Sequence, residues 1–401
     1  MISRLISFKS VWIAASLVAV GVIAWLAYGL TGPEKGYEEV AADPKPSAAD
    51  VVEVAGAPER VTRADDGSLL LRYLAKAERD RGGWVYAAAW RLYSPSGAKV
   101  AEYARHAESD EDGDDQDTET VFGTFYGTEG GFVVDDERDV YFLDTRGKKH
   151  AVKRQRTPVA SASGDVLITT ATFDKGSYVN YTDMVYRPSD RTLAPIAGLP
   201  KGDTPLAAVD DRGTPWSSPG FGGIARPEDK VVWWADGRRH TYRLPEYRGE
   251  VGFAAGAGTA VVALTGAPEG GKDGAARTAL HVTTDGGKHW RVVKSSARLP
   301  LKDFGEDVTP ELDVFSDGRI FIGVEGRSWL ADSAGNRSFH EVKHPVRFSS
   351  VTAQGDTLYG LADVAGRDAE IRPHLTVDGE GLWISKNGGR DWTRFAGATD
   401  D

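Results

Sequence analysis

Beyond about residue 50 the hydrophobic positions fall into short runs broken by turn residues, and no strong apolar period of 3.6 residues appears. Trp84–Tyr93 closes on Ser94-Pro95-Ser96-Gly97, Asp139–Leu143 on Asp144-Thr145-Arg146-Gly147, and Val231–Trp234 on Ala235-Asp236-Gly237. Ser68–Leu74 is a further run, and Asp317-Gly318 and Gly355-Asp356 each sit between two runs. Strand, Gly/Asp turn, strand is the mark of successive β-hairpins. The hairpins group over residues 51–105, 120–155, 158–197, 204–245, 250–297, 310–343 and 348–396, about 50 residues each, a period suited to a repeating all-β fold.

One stretch breaks the pattern. Val11 to Leu30 runs for 20 residues without a charge. At a helical rise of about 1.5 Å per residue such a run spans about 30 Å, the thickness of a bilayer core. Trp12 at one end and Trp25 and Tyr28 at the other suit the two interfaces, and Arg4 and Lys9 precede the span. A cleaved signal peptide is the competing reading, with Ala27-Tyr28-Gly29 as a passable cleavage site, although its apolar region is usually about 7 to 15 residues. A buried soluble helix is a third. Lys35 and Lys45 beyond the span match Arg4 and Lys9 in number, so the short head, more than the charge balance, argues for a cytoplasmic N-terminus and an extracytoplasmic C-terminal domain.

The expected organisation is a short tail over 1–10, a transmembrane helix over 11–30, a tether over 31–50 and a repeat domain over 51–401. Residues 31–50 are rich in Pro, Ala and acids and carry no apolar period, the composition of a linker.

Within the repeats, Thr283-Thr284-Asp285-Gly286-Gly287-Lys288-His289-Trp290 recurs as Ser385-Lys386-Asn387-Gly388-Gly389-Arg390-Asp391-Trp392. Each copy sits between strand-like residues, and the glycines supply the positive φ that a tight turn needs. The short carboxylate or amide can bond the turn backbone, and the Trp can fold back over its own hairpin as a small private core. Asp211-Arg212-Gly213-Thr214-Pro215-Trp216 and the segment from Asp332 to Phe339 look like degenerate copies.

Both octapeptides resemble the Asp-box, or BNR repeat, of sialidase-like, sortilin-like and photosystem-assembly-factor-like β-propellers. The resemblance rests on two short windows, and it implies an all-β propeller. The hairpin groups favour seven blades, and six or eight fit similar spacing. Ring closure is then expected to pair a strand from the start of the domain with the last blade, hiding exposed sheet edges.

The resemblance also raises a glycosidase. Sialidase-like enzymes need an arginine cluster, a Tyr/Glu nucleophile pair and an acid/base Asp. In that family the first arginine lies in an Arg-Ile-Pro-like motif on an early blade, and the tripeptide Arg-Ile-Pro itself does not occur here. Ile224-Ala225-Arg226-Pro227 has the wrong order and lies in mid-chain. No catalytic, cofactor-binding or metal-ligating residue is therefore assigned.

Composition narrows the chemistry further. The chain has no cysteine, which removes disulfides, thiolate metal sites and cysteine nucleophiles. Its formal charge of −11 becomes −13 once Arg4 and Lys9 are set aside, which argues against nonspecific nucleic-acid binding. Glu108 to Glu119 carries eight carboxylates in twelve residues, and Asp110, Asp112 and Asp114 alternate as calcium ligands would. The EF-hand pattern fails at Asp115, where glycine is required, and at Val121, so a solvated loop is favoured over calcium. The eight histidines show no zinc spacing, and neither a Gly-x-Ser-x-Gly elbow nor a phosphate loop is present. Arg146 to Arg156 is a basic run that reads as a solvated hairpin, with anionic polymer or lipid headgroups as the sharper reading.

The function expected from these features is a membrane-anchored extracytoplasmic propeller that binds a protein or cell-envelope glycan without catalysis. The alternative is a sialidase-like glycoside hydrolase with its site in the central funnel. Converging carboxylates with raised pKa in the funnel would favour the enzyme, and an apolar or aromatic patch at the rim would favour the binding module.

Overall fold

The computed structural model describes residues 36–78, 83–109, 122–136, 139–173, 179–199, 206–218, 230–244, 250–265, 279–301, 310–324, 326–362 and 381–395. The expected membrane span at 11–30 lies outside them. Among the described residues no helix is long and apolar enough to cross a membrane.

Seven four-stranded sheets form a seven-bladed β-propeller. Blade 1 is β1–β4 (Arg60–Arg63, Leu69–Glu78, Trp84–Tyr93, Lys99–Ser109) and blade 2 is β5–β8 (Thr124–Thr128, Gly131–Asp136, Asp139–Asp144, Lys149–Ala151). Blade 3 holds β9–β12 (Lys153–Arg154, Val166–Phe173, Val179–Arg187, Thr192–Pro195), and blade 4 β13–β16 (Ala208–Val209, Pro215–Ser217, Lys230–Ala235, Arg238–Arg243). Blade 5 is β17–β20 (Glu250–Gly256, Thr259–Thr265, Ala279–Thr283, Arg291–Val293) and blade 6 is β21–β24 (Glu311–Val314, Ile320–Val324, Arg327–Ala331, Phe339–Glu341). Blade 7 is β25–β28 (Phe348–Gln354, Thr357–Ala362, Leu382–Ser385, Thr393–Arg394). The boundaries expected from the hairpin pattern fall within a few residues of these at most blades.

Six blades are simple antiparallel meanders. Blade 3 differs, because its sheet order is β10-β11-β12-β9 and β9 runs parallel to β12. Its edge strand comes from the connector that precedes the blade.

The core is divided in the same way as the ring. Seven clusters of buried side chains lie one at each junction between successive blades. Alternating strand faces explain this, since each sheet presents one face to each neighbour and both must be apolar. Neighbouring inner strands approach so closely that a Cβ on Gly127 of β5 would lie 1.7 Å from the Arg63 carbonyl oxygen of β1.

Two expectations are corrected at the seam between blades 7 and 1. Among the described residues no strand crosses it, because β1–β4 and β25–β28 are each drawn from their own stretch of chain. Instead the Gln354 side chain spans the seam, accepting from the Arg63 amide at 2.6 Å and donating to the Val61 carbonyl at 2.7 Å. Nor is the described part of the expected tether a free linker. Helices α1 (Tyr37–Ala42) and α2 (Ala48–Ala55) lie there, with Val40, Ala41 and Val51 buried in the cluster that joins blades 1 and 7. Ser47 caps α2 by accepting from the Asp50 amide at 3.0 Å. These helices are too short to show a period, which is why their composition reads as linker.

Candidate functional site: the central channel

Inner strands of successive blades, such as β17, β21 and β25, lie side by side and wall the central channel. The described channel chemistry comes from Arg60 on β1, Tyr126 on β5, and Glu311 and Asp313 on β21. Residues two apart on a strand share a face, so Glu311 and Asp313 stand on one side of β21. The positive charge of Arg60 acts on both Glu311 and Tyr126. Blade 7 stands between blades 1 and 6, so the influence of Arg60 on Glu311 runs through the channel and not across a blade interface.

Burial pushes the Glu311 carboxyl up to about 7, against the opposing pull of Arg60. Glu311 nevertheless keeps exposed surface. A side chain touched by channel water but walled by protein has both properties, so its solvation remains poorer than its exposed area suggests. Burial likewise raises Asp313 to about 7, where the Val314 amide, donating at 2.6 Å, pulls it down and Asp356 pushes it up. Burial raises the Tyr126 phenol to about 12, with Asp135 adding to the effect and Arg60 and Thr124 opposing it. Tyr126 is therefore a neutral phenol at physiological pH.

A second carboxylate sits in blade 3. Asp183 on β11 accepts from the Thr169 hydroxyl at 2.9 Å and the Leu206 amide at 3.1 Å, and burial still raises its pKa. Its bonds join a strand pair to the connector that leads into blade 4, which is a structural use.

Sites outside the channel offer less. Ser328 and His344 are 2.9 Å apart, a contact that resembles a nucleophile and its base, but Ser328 is fully buried and no acyl group reaches it. A surface pocket of about 290 Å³ lies at the edge of blade 6 beside Arg298, Arg327, Trp329 and His340. Arg327 is bound there to Glu341 at 2.9 Å, and His340 to Asp332 at 2.7 Å. Among the described residues no group of three His, Asp or Glu side chains could hold a metal ion. Residues 110–119 of the acidic stretch and the segment from Ile224 to Pro227 lie outside the described residues.

The paired octapeptides are not in the channel. They form the β19–β20 and β27–β28 turns and share one hydrogen-bond scheme. Thr283 Oγ1 accepts from the Gly287 amide at 3.0 Å and Asp285 Oδ1 from the His289 amide at 2.9 Å. The matching bonds are Gly389 amide to Ser385 Oγ at 2.8 Å and Asp391 amide to Asn387 Oδ1 at 3.0 Å. The tryptophans correct the expectation of a private core. Trp290 stacks on Tyr242 of blade 4 with ring centres 4.4 Å apart and contacts Trp216 and Trp233 of that blade. Trp392 packs on His344 and Phe348 and donates to the Lys343 carbonyl at 2.9 Å. Gly287 has φ of +88° and faces the Trp233 ring, and Gly389 has φ of +81° and faces Val342. Each octapeptide therefore fastens its blade to the one before it.

The degenerate copies differ. At 211–216 the turn joins β13 to β14, and Asp210, not Asp211, organises it by accepting from the Arg212 and Thr214 amides and the Trp216 indole. The segment 332–339 does join the third and fourth strands of its blade, with Asn336 bonded to the Gly318 carbonyl at 2.8 Å and the Ile320 amide at 2.9 Å.

Sequence reading alone did not single out Arg60, Tyr126, Glu311 or Asp313. Their only sequence signal is a charged or phenolic residue within an inner strand, and that becomes visible once the strand's place in the blade is known.

No protein-family model and no curated protein matches the chain. Solved structures do. The β-propeller domain of the Trilobed protease from Pyrococcus furiosus matches with a TM-score of 0.47 at 10% identity, covering 86% of this chain and 99% of that one. Pyrococcus horikoshii acylaminoacyl peptidase matches with a TM-score of 0.46 at 9% identity, covering 86% of this chain and 52% of that one. Trypanosoma rangeli sialidase in complex with sialic acid matches with a TM-score of 0.31 at 12% identity, covering 77% of this chain and 52% of that one. At such identities the likeness is one of fold alone.

Proposed function

We propose that this chain is a membrane-anchored extracytoplasmic β-propeller that serves as a noncatalytic binding or scaffold module for a protein or cell-envelope glycan. The uncharged run from Val11 to Leu30 supports the anchor. The observation that carries the noncatalytic reading is the electrostatic state of the channel. A tyrosine nucleophile of the sialidase kind needs an activated phenol and several guanidiniums, whereas Tyr126 is held at about 12 and, among the described residues, the guanidinium that acts on it is that of Arg60. The described residues show no apolar rim patch, since the exposed large hydrophobics, Tyr37, Val100 and Val292, are scattered. Recognition on this reading is polar.

The glycoside hydrolase remains the second reading, on one specific observation. Glu311 and Asp313 both titrate near neutrality, so either can hold a proton as a general acid does. A panel of sialosides and aryl glycosides, offered to the wild type, Glu311→Gln and Asp313→Asn, separates the two. The binding module turns over none of them. Turnover that is abolished in either variant establishes the hydrolase.

A further inference from the structure

We propose that the outer edges of blades 2, 3 and 4 form a basic rim that binds a flexible phosphate-bearing polyanion. This surface is distinct from the channel and does not depend on what the channel does.

The rim is built from three edge strands. β8, β9 and β16 are the outermost strands of three successive blades. The segment from Arg146 to Arg156 holds Arg146, Lys148, Lys149, Lys153, Arg154 and Arg156 with no acid among them, and all six are exposed. On β16, Arg238, Arg239 and Arg243 are exposed on the next edge, again with no acid in the strand. Asp139, Asp144, Asp190 and Asp236 border the strip. Asp144 is already engaged by His150 at 2.7 Å and by the Arg146 and Lys148 amides, and Asp139 stands 3.9 Å from Arg154. Among the described residues Arg146, Lys148, Lys153, Arg156, Arg238, Arg239 and Arg243 have no ion-pair partner. Lys149 lies over the Tyr141 ring at 4.4 Å, which holds its ammonium on the rim.

The other edges lack this density of exposed cations: β20 and β28 carry one cation each, Arg291 and Arg394, and Arg291 is half-buried and donates to the Asn336 carbonyl at 2.7 Å. On β4 Lys99 pairs with Glu102 at 3.5 Å and Arg105 with Asp136 at 3.2 Å, while β24 carries Glu341. On a chain of net charge −11, nine exposed cations gathered on three edges are a local field that the whole molecule does not impose.

Shape selects the partner. Successive edges of a seven-bladed ring turn by about 50°, so a flat bilayer meeting the middle edge leaves both neighbours angled away. A flexible chain follows the curve and neutralises all three. Among the described residues the edges offer no exposed aromatic ring, because the exposed large hydrophobics are Tyr37 and two valines on other blades. Nucleobases therefore have nothing to stack on. The short edges, three residues in β8 and two in β9, give little room for an added peptide strand. The guanidiniums of Arg146, Arg154, Arg156, Arg238, Arg239 and Arg243 each fit two oxygens of one phosphate, so the occupant proposed is a backbone of phosphates.

Long-chain inorganic polyphosphate is the probe, titrated against the full chain in detergent, beside oligo(dT) of equal charge and phosphatidylglycerol vesicles. Binding of polyphosphate is expected, weakening steeply with salt, and the fourfold reversal K148E/K149E/K153E/R154E lowers affinity about tenfold or more and flattens the salt dependence. R238E/R239E gives a further loss, whereas reversing Lys294 and Arg394 on blades 5 and 7, an equal change of net charge, leaves binding unchanged. The proposal is overturned if polyphosphate does not bind, if binding survives both rim reversals, if oligo(dT) binds more tightly at equal charge, or if only the vesicles respond to the reversals.

Discussion

At the scale of single residues, the channel carboxylates give the clearest prediction. Asp313 has its pKa raised by burial to about 7, so the folded protein holds this proton more tightly than the unfolded chain does. Below about pH 4 the group is neutral in both states and costs nothing. As pH rises towards 7 the unfolded chain loses its proton first, so stability falls with pH and the full penalty is present above about 7. Asp313→Asn removes the charge while keeping an acceptor for the Val314 amide. Its melting temperature should match that of the wild type near pH 4, exceed it progressively up to pH 7, and keep a constant lead above that. A difference that does not change with pH would mean that the carboxylate is well solvated in the folded state. None of this was readable from residue type, because Asp313 looks like any other acid until its strand is known to be an inner one.

At the scale of elements, the octapeptide turns were legible because their requirements are local. Positive φ demands Gly286, Gly287, Gly388 and Gly389, and the turn amides need the oxygens of Thr283, Asp285, Ser385 and Asn387. The destination of each tryptophan was not local and was missed. Trp290 packs against aromatic side chains of blade 4, and its indole N–H has no hydrogen-bond partner among the described residues, whereas Trp392 donates to the Lys343 carbonyl. Both are half-buried, so truncation to Ala should cost about 2–4 kcal/mol in each case. The two should fail differently. Trp392→Phe keeps an aromatic ring but leaves the Lys343 carbonyl without its donor, and should lose about 1 kcal/mol more than Trp290→Phe. Urea unfolding of the four variants measures this, and equal losses for the two Phe variants would remove the hydrogen bond from the account. β9 was illegible for a related reason. Lys153 and Arg154 are both exposed, so no alternation marks the strand, and its partner β12 lies beyond β10 and β11 in the chain.

At the scale of the whole molecule, the number of blades could be counted from hairpins, but the way the ring closes could not. The count depends on contiguous segments, whereas closure depends on residues from opposite ends of the domain. A shared strand would have tied the ends with a ladder of backbone hydrogen bonds. This ring closes instead with buried side chains, with α1 and α2 laid against the seam, and with the two bonds of Gln354. The blade 7–1 seam should therefore open first. Gln354→Leu keeps much of the bulk but leaves the Arg63 amide and the Val61 carbonyl without a partner, at about 1–3 kcal/mol for each buried group left unsatisfied. Hydrogen exchange should show the amides of β1 and β25 losing protection in this variant, while those of β17 and β21 exchange at the wild-type rate. If protection falls equally at every blade junction, the ring unfolds as one cooperative unit and Gln354 acts only on its overall stability. Val51→Ala, which shortens an α2 side chain in the same cluster, should reproduce the local loss because it weakens the cover over the same seam without touching either hydrogen bond.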